Sequence, residues 1–159
     1  MNKGLSTKLI AINAMIAGVY AAFTLALSPI AYLGVQFRLS EIMVFLAFYN
    51  KKFIPGLVIG CFIANIPSPI GILDIFFGTL SSLIVCIAIY YIKNKIVAAF
   101  IGALITGIII GLLLHIAYGI PYIINAFYVF IGQFIVLVIG AIIFRLVENN
   151  KQLYSYIKE

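Results

Sequence analysis

The chain has 159 residues, 65% of them hydrophobic and only 9% charged, with a mean hydropathy of +1.26. Soluble proteins run at roughly 45–50% apolar, and four acids and ten bases do not suffice to cover a globule of this size with polar surface. The composition excludes a soluble enzyme, an isolated nucleic-acid binder and a disordered chain, and it predicts one integral membrane domain over residues 1–159.

Six apolar blocks follow in chain order, over about 9–33, 39–50, 53–66, 72–92, 96–117 and 121–144. Lys3 and Lys8 ahead of the first block resemble the start of a signal peptide. The stretch from Leu9 to about Leu27 is too long for an h-region of roughly 7–15 residues, so the block is expected to remain as a membrane helix. The second and third blocks are short; at 1.5 Å per residue, 12 and 14 residues reach only ~18 and ~21 Å. The other four reach the ~20 residues that span a bilayer. The expected fold is therefore all-α, with six transmembrane helices of which the second and third are short. Cys61 and Cys86 both lie inside apolar blocks and read as small buried hydrophobes rather than a disulfide.

Basic residues orient the chain. With the N-terminus inside and every block crossing, the inside holds Lys3, Lys8, Lys51, Lys52, Lys93, Lys95, Arg145, Lys151 and Lys158, nine of the ten basic residues. Both termini are then cytoplasmic, and the positive charge serves topology rather than nucleic acid. A re-entrant hairpin at blocks two and three would leave Lys51 and Lys52 near the bilayer centre, at about 2.5–3.5 kcal/mol each. Crossing avoids that cost. Because the pair is short, it predicts a recess open to the outside with its floor inside the membrane, lined by segments 36–41 and 65–69.

The outer side keeps Arg38, Glu41, Asp74 and His115, each at the edge of an apolar block. Charges at such depth are costly and are usually paired or functional. Arg38 and Glu41 stand three residues apart, so a mutual ion pair anchoring a loop is one reading and a ligand site the other. Asp74 follows Ser68-Pro69, read as an N-cap and first helical residue, where a helix dipole favours a carboxylate. As an unpaired acid it is also a candidate ligand contact. Gln36 and Asn65 offer amides to a flat polar ligand, or satisfy broken backbone near Pro67 and Pro69. His115 is a packed or interfacial histidine unless a ligand reaches it. No His/Cys/Asp set stands at metal spacing, so no metal or other cofactor is expected.

Two ladders of small residues complete the pattern. Ala14, Gly18 and Ala22 recur every fourth residue, with Ala17 and Ala21 beside them; Ala99, Ala103, Gly107 and Gly111 do the same in the fifth block. Such faces let helices approach closely, either within the chain or against a separate membrane subunit. No G-x4-G-K-[ST] phosphate cradle is present, so this chain has no ATPase site of that kind and relies on partners for energy.

The run Gln36-Phe37-Arg38-Leu39-Ser40-Glu41, then Pro55-Gly56-Leu57, Gly60-Cys61, Ile63-Ala64-Asn65, and then Ser68-Pro69, Gly71, Asp74 and Phe77-Gly78 resembles the QueT family. These are substrate-binding S components of energy-coupling factor (ECF) transporters. The resemblance is specific over about residues 26–84 and general in the last two helices. It implies a six-helix S component in a prokaryotic plasma membrane. Such a subunit captures a queuosine precursor, a 7-deazaguanine base such as 7-aminomethyl-7-deazaguanine or queuine, and works with a membrane-coupling T subunit and two ATPases. Ala17 and Ala21 resemble the motif that docks on the T subunit, with Ala14 and Gly18 beside them. A carboxylate suits the adjacent ring N–H and amino donors of a guanine edge. Glu41 is the first candidate, and Asp74 is the alternative or the partner of an aminomethyl cation. Arg38, Gln36 or Asn65 would meet the carbonyl, and Tyr32, Tyr118 or Tyr128 would stack. The rival readings are an S component for another vitamin or nucleobase, a small intramembrane enzyme using Asp74 and His115, and a homo-oligomeric channel.

Overall fold

A computed structural model describes residues 7–27 and 38–158. The regular elements of the described residues are all helical: α1 (Thr7–Ala26), a 3-10 segment (Leu39–Val44) running into α2 (Phe45–Tyr49), a 3-10 turn (Lys51–Phe53), α3 (Ile54–Asn65), α4 (Ile72–Tyr91), α5 (Lys95–Tyr118), α6 (Tyr122–Glu148) and α7 (Lys151–Lys158). Among them α1, α4, α5 and α6 are long and apolar enough to cross a membrane. The short second and third blocks appear where expected, over Leu39–Tyr49 and Ile54–Asn65. The 3-10 geometry of Leu39–Val44, at ~2.0 Å per residue, stretches that short block to ~20 Å, slightly longer than an α-helix of the same length.

In lipid, apolar burial gives helices little reason to associate, so close packing of small residues does much of the work. A methyl group at Gly60 would fall 2.9 Å from the Ala17 carbonyl oxygen, so α3 lies directly on α1. Gly107 and Gly111 meet the Ala126 backbone in the same way and join α5 to α6. The Ala99–Gly111 ladder is thus spent inside the bundle, with Ala99 and Ala103 fully buried. Ala17 and Ala21 are 5% exposed. The side of α1 that carries them receives α3 within the chain. Ala14, Gly18 and Ala22 face outward, and a methyl group at Gly18 would meet nothing within 4 Å.

Polar contacts gather the chain turns at one end of the bundle. Asn13 donates to the Lys52 carbonyl oxygen at 3.0 Å and accepts from the Gly56 N–H at 2.7 Å. Lys95 reaches Glu148 at 2.8 Å, and the Tyr49 hydroxyl donates to the same carboxylate at 3.1 Å. The Lys51-Lys52 turn, the start of α5 and the end of α6 therefore lie at the end of the bundle, away from its middle.

Candidate functional site

A layer of polar side chains crosses the middle of the bundle. Ser81 and Ser82 stand halfway along α4, Thr106 halfway along α5 and Gln133 near the middle of α6. Opposite them the 3-10 segment brings in Glu41, and Arg38 enters at its N-cap position. These six, with Gly78 and Ile110, line a small cavity of about 10 Å³. That is room for about one water molecule.

Glu41 is 6% exposed and draws its partners from two other helices. The Tyr20 hydroxyl of α1 donates to Oε1, and the Gln133 amide of α6 donates to Oε2 at 3.4 Å. Among the described residues the ion pairs are Arg38–Asp74 and Lys95–Glu148, so no lysine or arginine nitrogen lies within 4.0 Å of Glu41. A buried carboxylate held only by neutral donors keeps acceptor capacity for a further partner.

Arg38 pairs with Asp74 rather than with Glu41, its Nη2 lying 3.0 and 3.1 Å from the two carboxylate oxygens. The reason is local. Arg38 is extended, at φ −98° and ψ 96°, so its side chain leaves the helical row that would have aligned it with Glu41. Asp74 is fully buried, also accepts from the Ser68 hydroxyl at 2.5 Å, and does not line the cavity. The expected unpaired acid is therefore paired, and its carboxylate serves to hold the guanidinium. Its helix begins at Ile72 after Gly71, whose φ is +72°, rather than at Pro69. Ser68 points at Asp74 and caps only the Ile70 N–H, at 3.3 Å.

Gly78 sits where Asn65 and Arg38 converge. A side chain there would run into the Asn65 amide nitrogen and come within 3.4 Å of Arg38 Nη1. Asn65 is completely buried behind it, donating to Cys61 Sγ at 3.5 Å, with its own oxygen unpartnered. Other orphan atoms face the cavity more directly: Arg38 Nε and the Ser81 hydroxyl have no hydrogen-bond partner. The Ser82 hydroxyl also lacks a hydrogen-bond partner, with the thiols of Cys61 and Cys86 near it. Serines in membrane helices commonly satisfy themselves on the carbonyl four residues back, as Thr106 does on Gly102 at 3.0 Å. Ser81 and Ser82 do not. Buried polar atoms left open around a cavity mark a surface built to bind something polar.

Other expected contacts lie elsewhere. Tyr118 and Tyr128 are 56% and 55% exposed on the outside of the bundle, which removes them as rings stacking in the cavity. His115 is exposed, its Nδ1 2.7 Å from the Ile120 carbonyl oxygen and its ring against Tyr122, so it ties the α5–α6 turn. The acid and the base of an Asp74–His115 enzyme are therefore each engaged with other partners. Gln36 and Tyr32 lie outside the described residues. Among the described residues no cluster of His, Cys, Asp and Glu could hold a metal.

Sequence reasoning missed Tyr20, Ser81, Ser82, Thr106 and Gln133. Gln133 had a legible signal, as the lone amide in the middle of a long apolar helix. The hydroxyls had none, since serine, threonine and tyrosine are ordinary in membrane helices.

The family model for the QueT transporter matches residues 10–149. Over 73 residues the chain is 42% identical to the "Queuosine precursor transporter QueT" of Lactococcus lactis subsp. cremoris (strain MG1363). That stretch covers 45% of this chain and 43% of the relative, so the match spans less than half of either. No solved structure matches. With its apolar helices and a family match over most of its length, this multi-pass membrane protein belongs to the QueT transporter family.

Proposed function

We propose that this chain is the substrate-binding subunit of an ECF-type importer in a prokaryotic plasma membrane, and that its cargo is a queuosine precursor with a 7-deazaguanine base. The observation that carries the reading is Glu41, a buried carboxylate with no direct ion pair among the described residues, facing a cavity that also presents Arg38, Ser81, Ser82 and Gln133. A guanine-like edge offers a ring N–H and an amino group side by side, and a carboxylate accepts both. The Arg38 guanidinium, held in place by Asp74, suits the ring carbonyl next to them. The name of the Lactococcus relative supports the same cargo.

Ligand clefts generally measure ~300–1,000 Å³, far more than the cavity of about 10 Å³. The walls must part to admit a base, and closing them around it would exclude water from the polar layer. The nine basic residues counted above put the Lys51-Lys52 turn and both termini in the cytoplasm, with six crossings. The cavity is then entered from outside. The coupling surface for the T subunit is the outward Ala14-Gly18-Ala22 face of α1, where a partner helix approaches closely without disturbing the α1–α3 contact. A thermal-shift screen of the purified chain against queuosine precursors, other nucleobases and vitamins tests the cargo. Selective stabilisation by a 7-deazaguanine base is expected; stabilisation by an unrelated vitamin alone would redirect the assignment to another S component.

A further inference from the structure

A second cavity, with a volume of about 430 Å³, opens where the start of α5 meets the last turns of α6. One wall comes from the α4–α5 connection and the start of α5, with Lys93, Lys95 and Ile96. The other comes from the last turns of α6, with Ala141, Ile142 and Arg145. Lys95 is already neutralised: its ammonium bonds both oxygens of Glu148 at 2.8 Å and lies over the Phe48 and Tyr49 rings at 5.3 and 5.7 Å. Lys93 and Arg145 are exposed, and neither forms an ion pair among the described residues. The nearby Glu148 carboxylate is occupied by Lys95 and Tyr49. Two cations without an ion pair among the described residues thus border a groove beside which the Glu148 carboxylate is already engaged.

We propose that this groove binds the phosphate of an anionic phospholipid, with Lys93 and Arg145 as its counter-charges. Its apolar side points to a lipid rather than a free phosphate. Ile96 and Ile142 are 54% and 55% exposed at the groove, and this surface continues onto the lipid-facing Phe100 and Ile139. An acyl chain would cover that strip, whereas a free phosphate or sugar phosphate would leave it bare. The position agrees: the groove lies at the end of the helices, at headgroup level, where basic residues meet the surface potential of anionic lipid. This inference does not depend on which molecule the chain transports.

Native mass spectrometry of the delipidated full chain in detergent, titrated with phosphatidylglycerol, reads the site directly. The variant Lys93→Gln/Arg145→Gln removes the two counter-charges. Lys51→Gln/Lys151→Gln removes the same net charge from other exposed positions and serves as control. At about three- to fivefold per cation, the groove variant is expected to bind phosphatidylglycerol roughly 10–30-fold more weakly. The control keeps wild-type affinity, and Lys93→Gln alone falls between. Equal losses in both double variants would overturn the proposal in favour of unspecific charge attraction. Wild-type binding of phosphatidylcholine would overturn it in favour of apolar adhesion. Displacement of the lipid by millimolar glycerol 3-phosphate would reassign the groove to a free phosphate ester. Thermal unfolding of each variant, expected to match wild type, separates a lost site from a lost fold.

Discussion

Replacing Glu41 by glutamine tests the proposed site most sharply, because it separates binding from folding. The carboxylate offers about four acceptor positions, of which Tyr20 and Gln133 use one each. The remaining capacity matches the two adjacent donors of a guanine-like edge. In Glu41→Gln the new NH₂ group must face one of the existing donors or the ligand. The tyrosine hydroxyl can turn about its C–O bond and accept instead of donate, so the protein accommodates the amide. Loss of a buried charge that has no direct ion pair among the described residues also relieves desolvation. The ligand has no such freedom: one charge-assisted bond is lost and one donor meets another donor. The cost is roughly 2–4 kcal/mol, or about 30–1,000-fold in affinity. Isothermal titration with a 7-deazaguanine precursor should show that loss while the unliganded melting temperature stays level or rises. Wild-type affinity would refute the carboxylate grip. A collapse of melting temperature would show that Glu41 acts as a structural residue instead.

The other consequences are simpler to state. Asp74→Asn leaves the buried Arg38 guanidinium without its counter-charge and should cost about 3–5 kcal/mol of stability; an unchanged unfolding midpoint would show that Asp74 does not hold Arg38. Gly18→Leu, on open surface, should preserve ligand binding and abolish uptake by the assembled transporter, whereas full uptake would remove that face as the coupling surface. Ala17→Leu should instead lower the melting temperature, since α3 packs against that position at Gly60; wild-type stability would contradict the α1–α3 contact. In a background without Cys61 and Cys86, Lys51→Cys should resist membrane-impermeant thiol reagents applied to intact cells, and ready labelling would overturn the proposed topology.

The transport reading places one demand on the structure that the polar layer helps to meet. Arg38 and Glu41 come from a segment only a few residues long, yet they must keep fixed positions deep in the bundle. Asp74, Tyr20 and Gln133 hold them from three different helices, and Ser68, in the α3–α4 connection, bonds Asp74 in turn. Such fixed groups reduce the ordering cost of binding a flat ligand. Gly78 leaves the gap through which Arg38 and Asn65 approach α4.

The sequence by itself determined the class and the outline of this protein. Long apolar blocks leave few alternatives to membrane helices, because backbone groups in hydrocarbon must satisfy one another. The boundaries of the later blocks were legible to within a few residues, including the two short ones, while the expected end of the first block near residue 33 lies outside the described residues. Arg38, Glu41 and Asp74 also stood out, since ionisable residues among apolar ones carry a cost that chance does not sustain. Which of them pairs with which was decided only by tertiary structure. Spacing put Arg38 beside Glu41, but an extended backbone at Arg38 sent its side chain to Asp74, thirty-six residues away. The ladder at Ala17 and Ala21 carried the same ambiguity. Small residues on a helix face permit close approach without naming the partner, and here α3 takes that side of α1 and leaves Ala14 and Gly18 outside. The hydroxyls of Ser81 and Ser82 acquire meaning only when separate helices bring them to one depth with Glu41 and Arg38, because a serine hydroxyl in an apolar helix commonly bonds its own backbone.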